Sequence, residues 1–290
     1  MPRLSRLHSS RDGILLQTSP CLTRSTMERD TYPDAPEART RRPPAWPAGG
    51  AAVLAAALVV LIVEVTAGGW LVDWDERVTA VMVAGRTTSA SHVFWVFSLL
   101  GNTVSLIVAT AVLVVVLLLR GKRAPAMFSV VTMTSASGLS YGLKELLARS
   151  RPPAAEALIA LPESQSLPSG HALMMTVFVG LILLGAVRTW PRAARVVLGV
   201  ALSVVAACVG VSRVYLGVHW ASDVIAGWCL AAIWLTLVFT VFRVWEGSRY
   251  AVSDARGMGG VRFRALVAAL SVLVWVAVVV VEALADPLLA

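Results

Sequence analysis

Three clusters of charged and polar residues interrupt an otherwise apolar chain, and together they contain the groups that transfer of a phosphate requires. They are Lys144 with Arg151-Pro152, Pro168-Ser169-Gly170-His171, and Ser212-Arg213 with His219 and Asp223. Phosphoryl transfer needs a nucleophile, a proton donor for the leaving group and several donors for the equatorial phosphate oxygens. The histidines, arginines and lysine of the three clusters supply each kind of group.

The third cluster contains the candidate nucleophile. His219 and Asp223 are four residues apart, so they share one face if a helix begins near Val218. A carboxylate in that position fixes the tautomer of the imidazole and leaves the other ring nitrogen free to attack phosphorus. His171 in the second cluster is then available to protonate the departing oxygen.

The remaining members of the clusters are candidate phosphate ligands. Lys144, Arg151 and Arg213 supply positive charge. Ser169 and Gly170 stand at the predicted start of a helix, where free backbone N–H groups and the positive end of the helix dipole favour an anion.

Each of these residues also has a simpler structural interpretation when it is taken alone. Lys144 could extend from a helix end to water, Ser169 could be a plain helix cap, and Arg213 and Asp223 could form a structural ion pair. The joint occurrence favours a site, because Lys144 is one of only two lysines in the chain. Arg149 lies near the first cluster without belonging to it.

The elements that must position these residues are transmembrane helices. The chain is 57% hydrophobic and 14% charged, with a mean hydropathy of +0.76. A membrane span needs about 20 consecutive apolar residues. The sequence has seven such runs, at 48–69, 93–119, 125–147, 169–187, 196–211, 224–244 and 265–281. The fold class predicted is therefore all-α, a polytopic transmembrane helix bundle.

This pattern predicts three parts of the chain. Residues 1–45 are polar and rich in Pro, Arg, Ser and Thr, which is typical of a disordered cytoplasmic tail. Residues 46–246 form a six-span core, and residues 247–290 contain a connection and a seventh, C-terminal span.

The connections between the predicted spans have distinct compositions. Residues 78–83, after three acidic residues, could form a short helix in the outer interface. Gly101-Asn102 in the second run predicts a late start or a bend there. Four prolines predict irregular structure in the connection at 148–168.

The distribution of basic residues predicts the orientation in the membrane. All but six of the 25 lysines and arginines lie in the N-terminal tail and in alternate connections. The six on the other side are Arg77, Arg86, Lys144, Arg149, Arg151 and Arg213. Because basic loops stay in the cytoplasm, the N-terminus is predicted to be cytoplasmic and the three clusters to be outside. The same distribution explains the net charge of +8 better than nucleic-acid binding does.

The spacing within the clusters resembles a known family. Six residues separate Lys144 from Arg151-Pro152, five separate Arg213 from His219, and three separate His219 from Asp223. With Pro168-Ser169-Gly170-His171 between them, these residues resemble the three-part signature of the type 2 phosphatidic acid phosphatase superfamily. The predicted seventh span and the long tail depart from the six-helix membrane core of that family.

The resemblance implies a role for each matching residue. The histidine that matches His219 attacks phosphorus to form a phosphohistidine, Asp223 supports it, and His171 protonates the leaving group. The implied phosphate ligands are Lys144, Arg151, Ser169, Gly170 and Arg213. The resemblance implies no metal and no cofactor, and Cys21, Cys208 and Cys229 have the setting of neither a zinc site nor a disulfide framework.

The predicted function is that of a membrane lipid phosphatase, with a lipid phosphate and the bilayer as its partners and no nucleic acid. An outward site suits a polyprenyl pyrophosphate carrier such as undecaprenyl pyrophosphate, which is left outside after it has delivered cell-wall units. Phosphatidic acid or phosphatidylglycerol phosphate is the alternative substrate. A lipid phosphotransferase would use the same phosphohistidine, whereas a transporter would leave the three clusters unexplained.

Overall fold

Helices make up most of the computed structural model, which describes residues 46–187 and 190–247 and contains no strand in these ranges. The helices are α1 Trp46–Thr66, α2 Trp70–Ala84, α3 Thr88–Leu100, α4 Thr103–Leu119, α5 Arg123–Leu147, α6 Gly170–Leu181, α7 Arg192–Tyr215 and α8 Ala221–Gly247. A short 3₁₀ turn, Ala154–Glu156, and a π-helical segment, Ile182–Ala186, complete the described elements. The predicted all-α class is confirmed.

Two of the predicted parts lie outside the described residues. These are the tail at 1–45 and the seventh span at 265–281, together with most of the connection that precedes it. The division of the chain into tail, core and C-terminal extension stays a prediction.

Three described helices, α1, α7 and α8, are long and apolar enough to cross a membrane, and α3 with α4 adds a fourth span if the bent pair is counted as one. The axis turns by 48° between α3 and α4, where a bend was predicted. Asn102 begins the new helix, because its side chain accepts a hydrogen bond from Val104 N at 3.1 Å.

The third and fourth predicted spans form the helices α5 and α6, but neither is among the helices that are long and apolar enough to cross a membrane. α5 is rich in serine and threonine, and its hydroxyl groups donate to carbonyls one turn earlier, as Thr132 does to Phe128 O at 2.7 Å. Such bonds satisfy the hydroxyls inside the helix. α6 has only 12 residues before the π-helical segment begins. The expectation of six core spans is therefore unconfirmed in number.

α6 lies at the centre of the bundle and packs against α5, α7 and α8. Val177 of α6, Val209 of α7 and Ala231 of α8 are fully buried in the main core cluster. Gly227 permits the close approach of α8 to the start of α6, because a Cβ there would lie 2.8 Å from the backbone oxygen of Ser169. This close approach places the first turns of α6 and α8 side by side.

α2 is longer than the short helix predicted at 78–83, since it begins at Trp70 and includes the acidic residues. Its inner face packs against α7 and α8 and buries Asp75 and Thr79, while Trp70 and Val81 stay exposed. Because Asp75 lies in the middle of the inward face, a search for runs of apolar residues does not detect this amphipathic helix. The location of α2 in the outer interface remains a prediction.

The connection between α5 and α6 folds over one end of the bundle and is irregular, as predicted, apart from its single 3₁₀ turn. Two backbone hydrogen bonds of 2.9 Å hold it there, from Ser166 N to Arg149 O and from Leu158 N to Leu216 O. At this end α5 and α7 terminate and α6 and α8 begin.

Candidate active site

The three predicted clusters come together at this end of the bundle. His219 lies in the turn between α7 and α8 and is 3% exposed, and Asp223 lies in the first turn of α8. The Nδ1 atom of His219 is 3.3 Å from Asp223 Oδ2. The predicted contact is present, but the predicted helix start near Val218 is wrong, because α8 begins at Ala221 and His219 lies in the turn before it.

The neighbours of His219 fix its tautomer. The NH1 group of Arg151 lies 3.2 Å from His219 Nε2. A guanidinium has only donors, so Nε2 must be the acceptor and the ring proton must lie on Nδ1, towards Asp223. The lone pair of Nε2 therefore points away from the carboxylate, as a nucleophile requires.

His219 is neutral in this environment. Burial lowers its pKa to about 3, and the positive charges of Arg213 and Arg151 act in the same direction. The hydrogen bond and charge of Asp223 raise the pKa, but less than burial lowers it. Because a protonated imidazole has no lone pair at Nε2, the lowered pKa keeps His219 in the form that a nucleophile requires.

Both oxygens of Asp223 are occupied. Oδ2 accepts from Ser166 Oγ and from Trp220 N, the latter at 2.9 Å, in addition to His219. Oδ1 accepts from Arg149 NH1 at 2.6 Å. Because both oxygens accept hydrogen bonds, the carboxylate of Asp223 is fixed in its orientation towards the imidazole of His219.

The interpretation of Arg213 and Asp223 as an ion pair is wrong, because Arg149 is the arginine that pairs with Asp223. The chain leaves α5 through Ala148 in a left-handed conformation, with φ of 45°, and this turn directs Arg149 inwards. Arg213 is 4% exposed and donates instead to Ser98 Oγ at 2.5 Å.

Lys144 and Arg151 are held by the connection that covers the site. Lys144 Nζ donates to the backbone oxygen of Gln165 and, at 3.2 Å, to that of Ser166. Arg151 donates through Nε to Ser164 O at 2.8 Å and through NH1 to Val218 O at 2.6 Å. Burial lowers the pKa of the Arg151 guanidinium, whereas the charge of Asp223 raises it.

Two buried polar atoms at the site have no hydrogen-bond partner within the described residues, Arg213 Nε and Ser169 Oγ. Ser169 precedes α6, as predicted, but its side chain does not cap the helix. Its backbone N donates to Asp223 O at 3.0 Å, which links the start of α6 to α8. Unpaired buried polar groups are costly, and an anion with several oxygens satisfies both kinds of group.

His171, in the first turn of α6, faces the same cavity as Arg213 and His219. It lies against the break between α3 and α4, where a Cβ on Gly101 would be 3.1 Å from His171 Cδ2 and 2.5 Å from Val209 Cγ1. The missing side chain at Gly101 leaves room for the imidazole.

The cavity has a volume of about 700 Å³ and two different ends. Basic residues, His171 and His219 surround one end. The other end runs between α4 and α5 and is lined mainly by apolar side chains, including Leu106, Ile107 and Met133. Ile107 and Tyr141 are exposed on the outside of the bundle, so the cavity reaches its lateral surface.

The comparisons with known proteins identify the region that contains this site. Residues 125–246 match the family model of the PAP2 superfamily, and they include all eight predicted site residues. This part of the chain is similar to the PAP2 superfamily. The predicted resemblance is thereby confirmed.

Two relatives of the PAP2 region are informative. An undecaprenyl-diphosphatase of Sulfolobus acidocaldarius is 42% identical over 78 residues, which are 27% of this chain and 33% of that relative. The match thus spans a third of the length of that protein. The crystal structure of a transmembrane PAP2-type phosphatidylglycerolphosphate phosphatase from Bacillus subtilis aligns with a TM-score of 0.60 over 71% of this chain and 99% of that chain. At 23% identity, this likeness shows the fold.

Sequence reasoning missed three residues of this site, Asp75, Arg149 and Ser166. Arg149 stands two residues before Arg151 in the same connection, and Asp75 is one of three acidic residues between the first two predicted spans. Position in the sequence did not mark these residues as members of the site, because only the fold brings Arg149 and Ser166 to Asp223 and Asp75 to Arg149. No three His, Cys, Asp or Glu side chains form a metal-binding group within 46–187 and 190–247, and the absence of a metal requirement stays a prediction.

Proposed function

We propose that the protein is an integral-membrane lipid phosphatase that forms a phosphohistidine on His219 at the extracytoplasmic face of the membrane. The observation that carries the proposal is the neutral Nε2 atom of His219 beside a cationic pocket that continues as an apolar groove. A lipid phosphate matches both parts, since its phosphate suits the cationic pocket and its hydrocarbon chain suits the apolar groove.

In the first step, His219 Nε2 attacks phosphorus, the N–P bond forms and the bond from phosphorus to the lipid oxygen breaks. His171 donates a proton to that oxygen, so the lipid leaves as a neutral alcohol or, from a pyrophosphate, as a monophosphate. The phosphorylated ring keeps its proton on Nδ1, and Asp223 stabilises the positive charge that develops there.

In the second step, water attacks phosphorus, the N–P bond breaks and inorganic phosphate leaves. His171, now without its proton, accepts one from the water, so the enzyme returns to its starting state. Hydrolysis and transfer differ only in whether water or another acceptor attacks.

The cationic residues stabilise the three equatorial oxygens in both steps. Arg213 Nε is free to donate, because it has no partner among the described residues. Arg151 must exchange its bonds to the backbone oxygens of Ser164 and Val218 for bonds to phosphate. Lys144 supplies a third charge from the end of α5.

A polyprenyl pyrophosphate carrier is the substrate we propose. The cavity supports an elongated apolar chain, and the named activity of the Sulfolobus relative is that of an undecaprenyl-diphosphatase. The distribution of basic residues supports an outward site, where such a carrier is left after delivery.

Phosphate release by the purified full-length protein tests this proposal. The substrates are undecaprenyl pyrophosphate, phosphatidic acid and phosphatidylglycerol phosphate, each with and without EDTA, and His219→Ala is the control. We expect the highest kcat/KM on the pyrophosphate, no effect of EDTA, and inhibition by vanadate, which adopts the five-coordinate geometry of the transferring group.

Each contrary result points to another function. Preference for a phospholipid monophosphate would support the alternative substrate class, and restoration of EDTA-treated protein by magnesium would indicate metal-assisted chemistry. Lipid dephosphorylation in which the phosphate appears on an added acceptor would indicate a phosphotransferase. If no phosphate is released from any of the three lipids, a transporter becomes the favoured function.

A further inference from the structure

A chain of buried charges connects α2 to the candidate nucleophile. Asp75, in the middle of α2, is fully buried, and its Oδ2 accepts from Arg149 NH2 at 2.7 Å. The other terminal nitrogen of Arg149 donates to Asp223 Oδ1 at 2.6 Å, and Asp223 Oδ2 lies 3.3 Å from His219 Nδ1. Arg149 therefore joins two carboxylates, one of which contacts the imidazole.

Asp75 also holds the first turn of α8. Its Oδ1 accepts from the backbone N of Ser222 at 2.8 Å, and its Oδ2 accepts from Ser222 Oγ. Arg149 NH1 donates to the same Ser222 Oγ at 2.8 Å. A carboxylate at a helix N-terminus satisfies a free N–H group and favours the helix dipole, so Asp75 fixes the segment that carries Asp223.

We propose that Asp75 and Arg149 are positioning residues for phosphoryl transfer, which hold Asp223 in the orientation that directs His219 Nε2 towards phosphorus. The inference rests on the proposed function, because it concerns the same nucleophile. Neither Asp75 nor Arg149 lines the cavity, so both act through Asp223 and not on the substrate.

Stabilisation of the fold alone does not account for this arrangement. A buried ion pair adds little stability compared with packed apolar side chains, because both charges lose their hydration. Arg149 also lies over Trp220, the residue between His219 and the α8 helix, with Cζ 5.6 Å from the ring centroid. Apart from the ion pair with Asp75, the contacts of the guanidinium, with Trp220, Ser222 and Asp223, lie on the segment that carries His219 and its carboxylate.

Two conservative substitutions test the proposal in the full-length protein. Asp75→Asn keeps an oxygen for Ser222 N but removes the charge that anchors Arg149, and Arg149→Lys keeps the charge but cannot reach both carboxylates. Asp73→Asn is the matched control, because Asp73 is an exposed acid on the same helix. We expect both substitutions to lower kcat by about 10- to 100-fold, the range for groups that orient a functional imidazole. KM should change by less than about two-fold, because no contact with substrate is lost.

A double-mutant cycle separates positioning from a general structural role. If Asp75 acts through Asp223, then adding Asp75→Asn to Asp223→Asn should lower kcat no further. Losses that multiply in the double variant would overturn the proposal, as would kcat and KM values for Asp75→Asn and Arg149→Lys that match those of Asp73→Asn. If one of the two variants fails to fold, the kcat and KM of the other still test the proposal.

The wild-type protein is measured first on the lipid panel, which separates the two proposals. A wild type that releases no phosphate refutes the proposed function. An active wild type whose variants behave like the control refutes the positioning roles alone.

Discussion

Arg151 contacts the nitrogen that we propose as the nucleophile, with its NH1 group 3.2 Å from His219 Nε2. The same guanidinium is a candidate phosphate ligand. Binding of a phosphate therefore requires Arg151 to move from the imidazole to the phosphate oxygens, a change that exposes the lone pair only when substrate is present.

The pH dependence of kcat/KM should reflect this contact. Because the pKa of His219 is about 3, its protonation should not reduce activity of the wild type between about pH 7 and pH 5. Arg151→Gln removes a cation that lowers the pKa of His219, so the pKa rises and the acidic decline of kcat/KM should move to higher pH. Profiles are measured on one short-chain lipid phosphate, whose own ionisation is common to all variants.

The control for this experiment is Arg192→Gln, which changes an exposed arginine at the first residue of α7. Its profile should coincide with that of the wild type. A decline in the Arg151→Gln variant at the wild-type pH, or at a lower one, would contradict the assigned contact.

Replacement of the nucleophile and of its carboxylate should have different consequences. His219→Ala should lower kcat by more than about 10³-fold, because no covalent intermediate forms, whereas Asp223→Asn should leave measurable activity reduced by about 10²- to 10⁴-fold. Rapid alkaline quenching after reaction with lipid radiolabelled in its terminal phosphate should trap a phosphoenzyme in the wild type and none in His219→Ala, because the N–P bond of a phosphohistidine is stable in alkali. His92→Ala, at an exposed histidine, is the control. A tenth of the wild-type activity in His219→Ala would end its assignment as the nucleophile.

The close approach of α8 to α6 should tolerate no side chain at Gly227. A Cβ there meets the backbone oxygen of Ser169 at 2.8 Å, so Gly227→Ala should displace the start of α6 and cost about 1–3 kcal/mol of stability. Both the midpoint of thermal unfolding in detergent and kcat should fall. Gly138→Ala is the matched control, because nothing lies within 4 Å of its added Cβ. Equal unfolding midpoints and equal kcat values for the two variants would show that α6 and α8 can move apart without cost.

Thiol labelling tests the predicted orientation in the membrane. Ala155 and Ala193 are both exposed and lie at opposite ends of the bundle, so each is replaced by cysteine in a background without Cys21, Cys208 and Cys229. A membrane-impermeant reagent on intact cells should label the cysteine at 155 and spare the one at 193. The reverse pattern would place the site in the cytoplasm and move the substrate towards intermediates of phospholipid synthesis.

The sequence was sufficient to predict those parts of the structure that depend on local patterns. Apolar runs predicted the helices other than α2, and Gly101-Asn102 predicted the bend, because both follow from composition along one segment. The spacing of His219 and Asp223 predicted their contact from the period of a helix, although in the structure His219 lies in the turn that leads into α8.

The partners of Asp223 could not be predicted in the same way. Arg149 and Arg213 have the same chemistry, but the backbone turn at Ala148 directs Arg149 towards Asp223, whereas Arg213 donates to Ser98. Asp75 and Arg149 are 74 positions apart in the chain, so their contact depends on how α2 packs against α8. Such contacts depend on tertiary packing, so no regular spacing of residues in the sequence predicts them.

The lateral cavity between α4 and α5 also affects how the purified protein behaves. Its lining of Leu106, Ile107 and Met133 does not distinguish the tail of a substrate from the tail of a detergent. Solubilising amphiphiles therefore compete for the same volume, and the apparent KM should follow the mole fraction of substrate in the micelle and not its bulk concentration. Detergents with short or branched tails, or lipid nanodiscs, are the media in which the kinetic constants of this protein become comparable between laboratories.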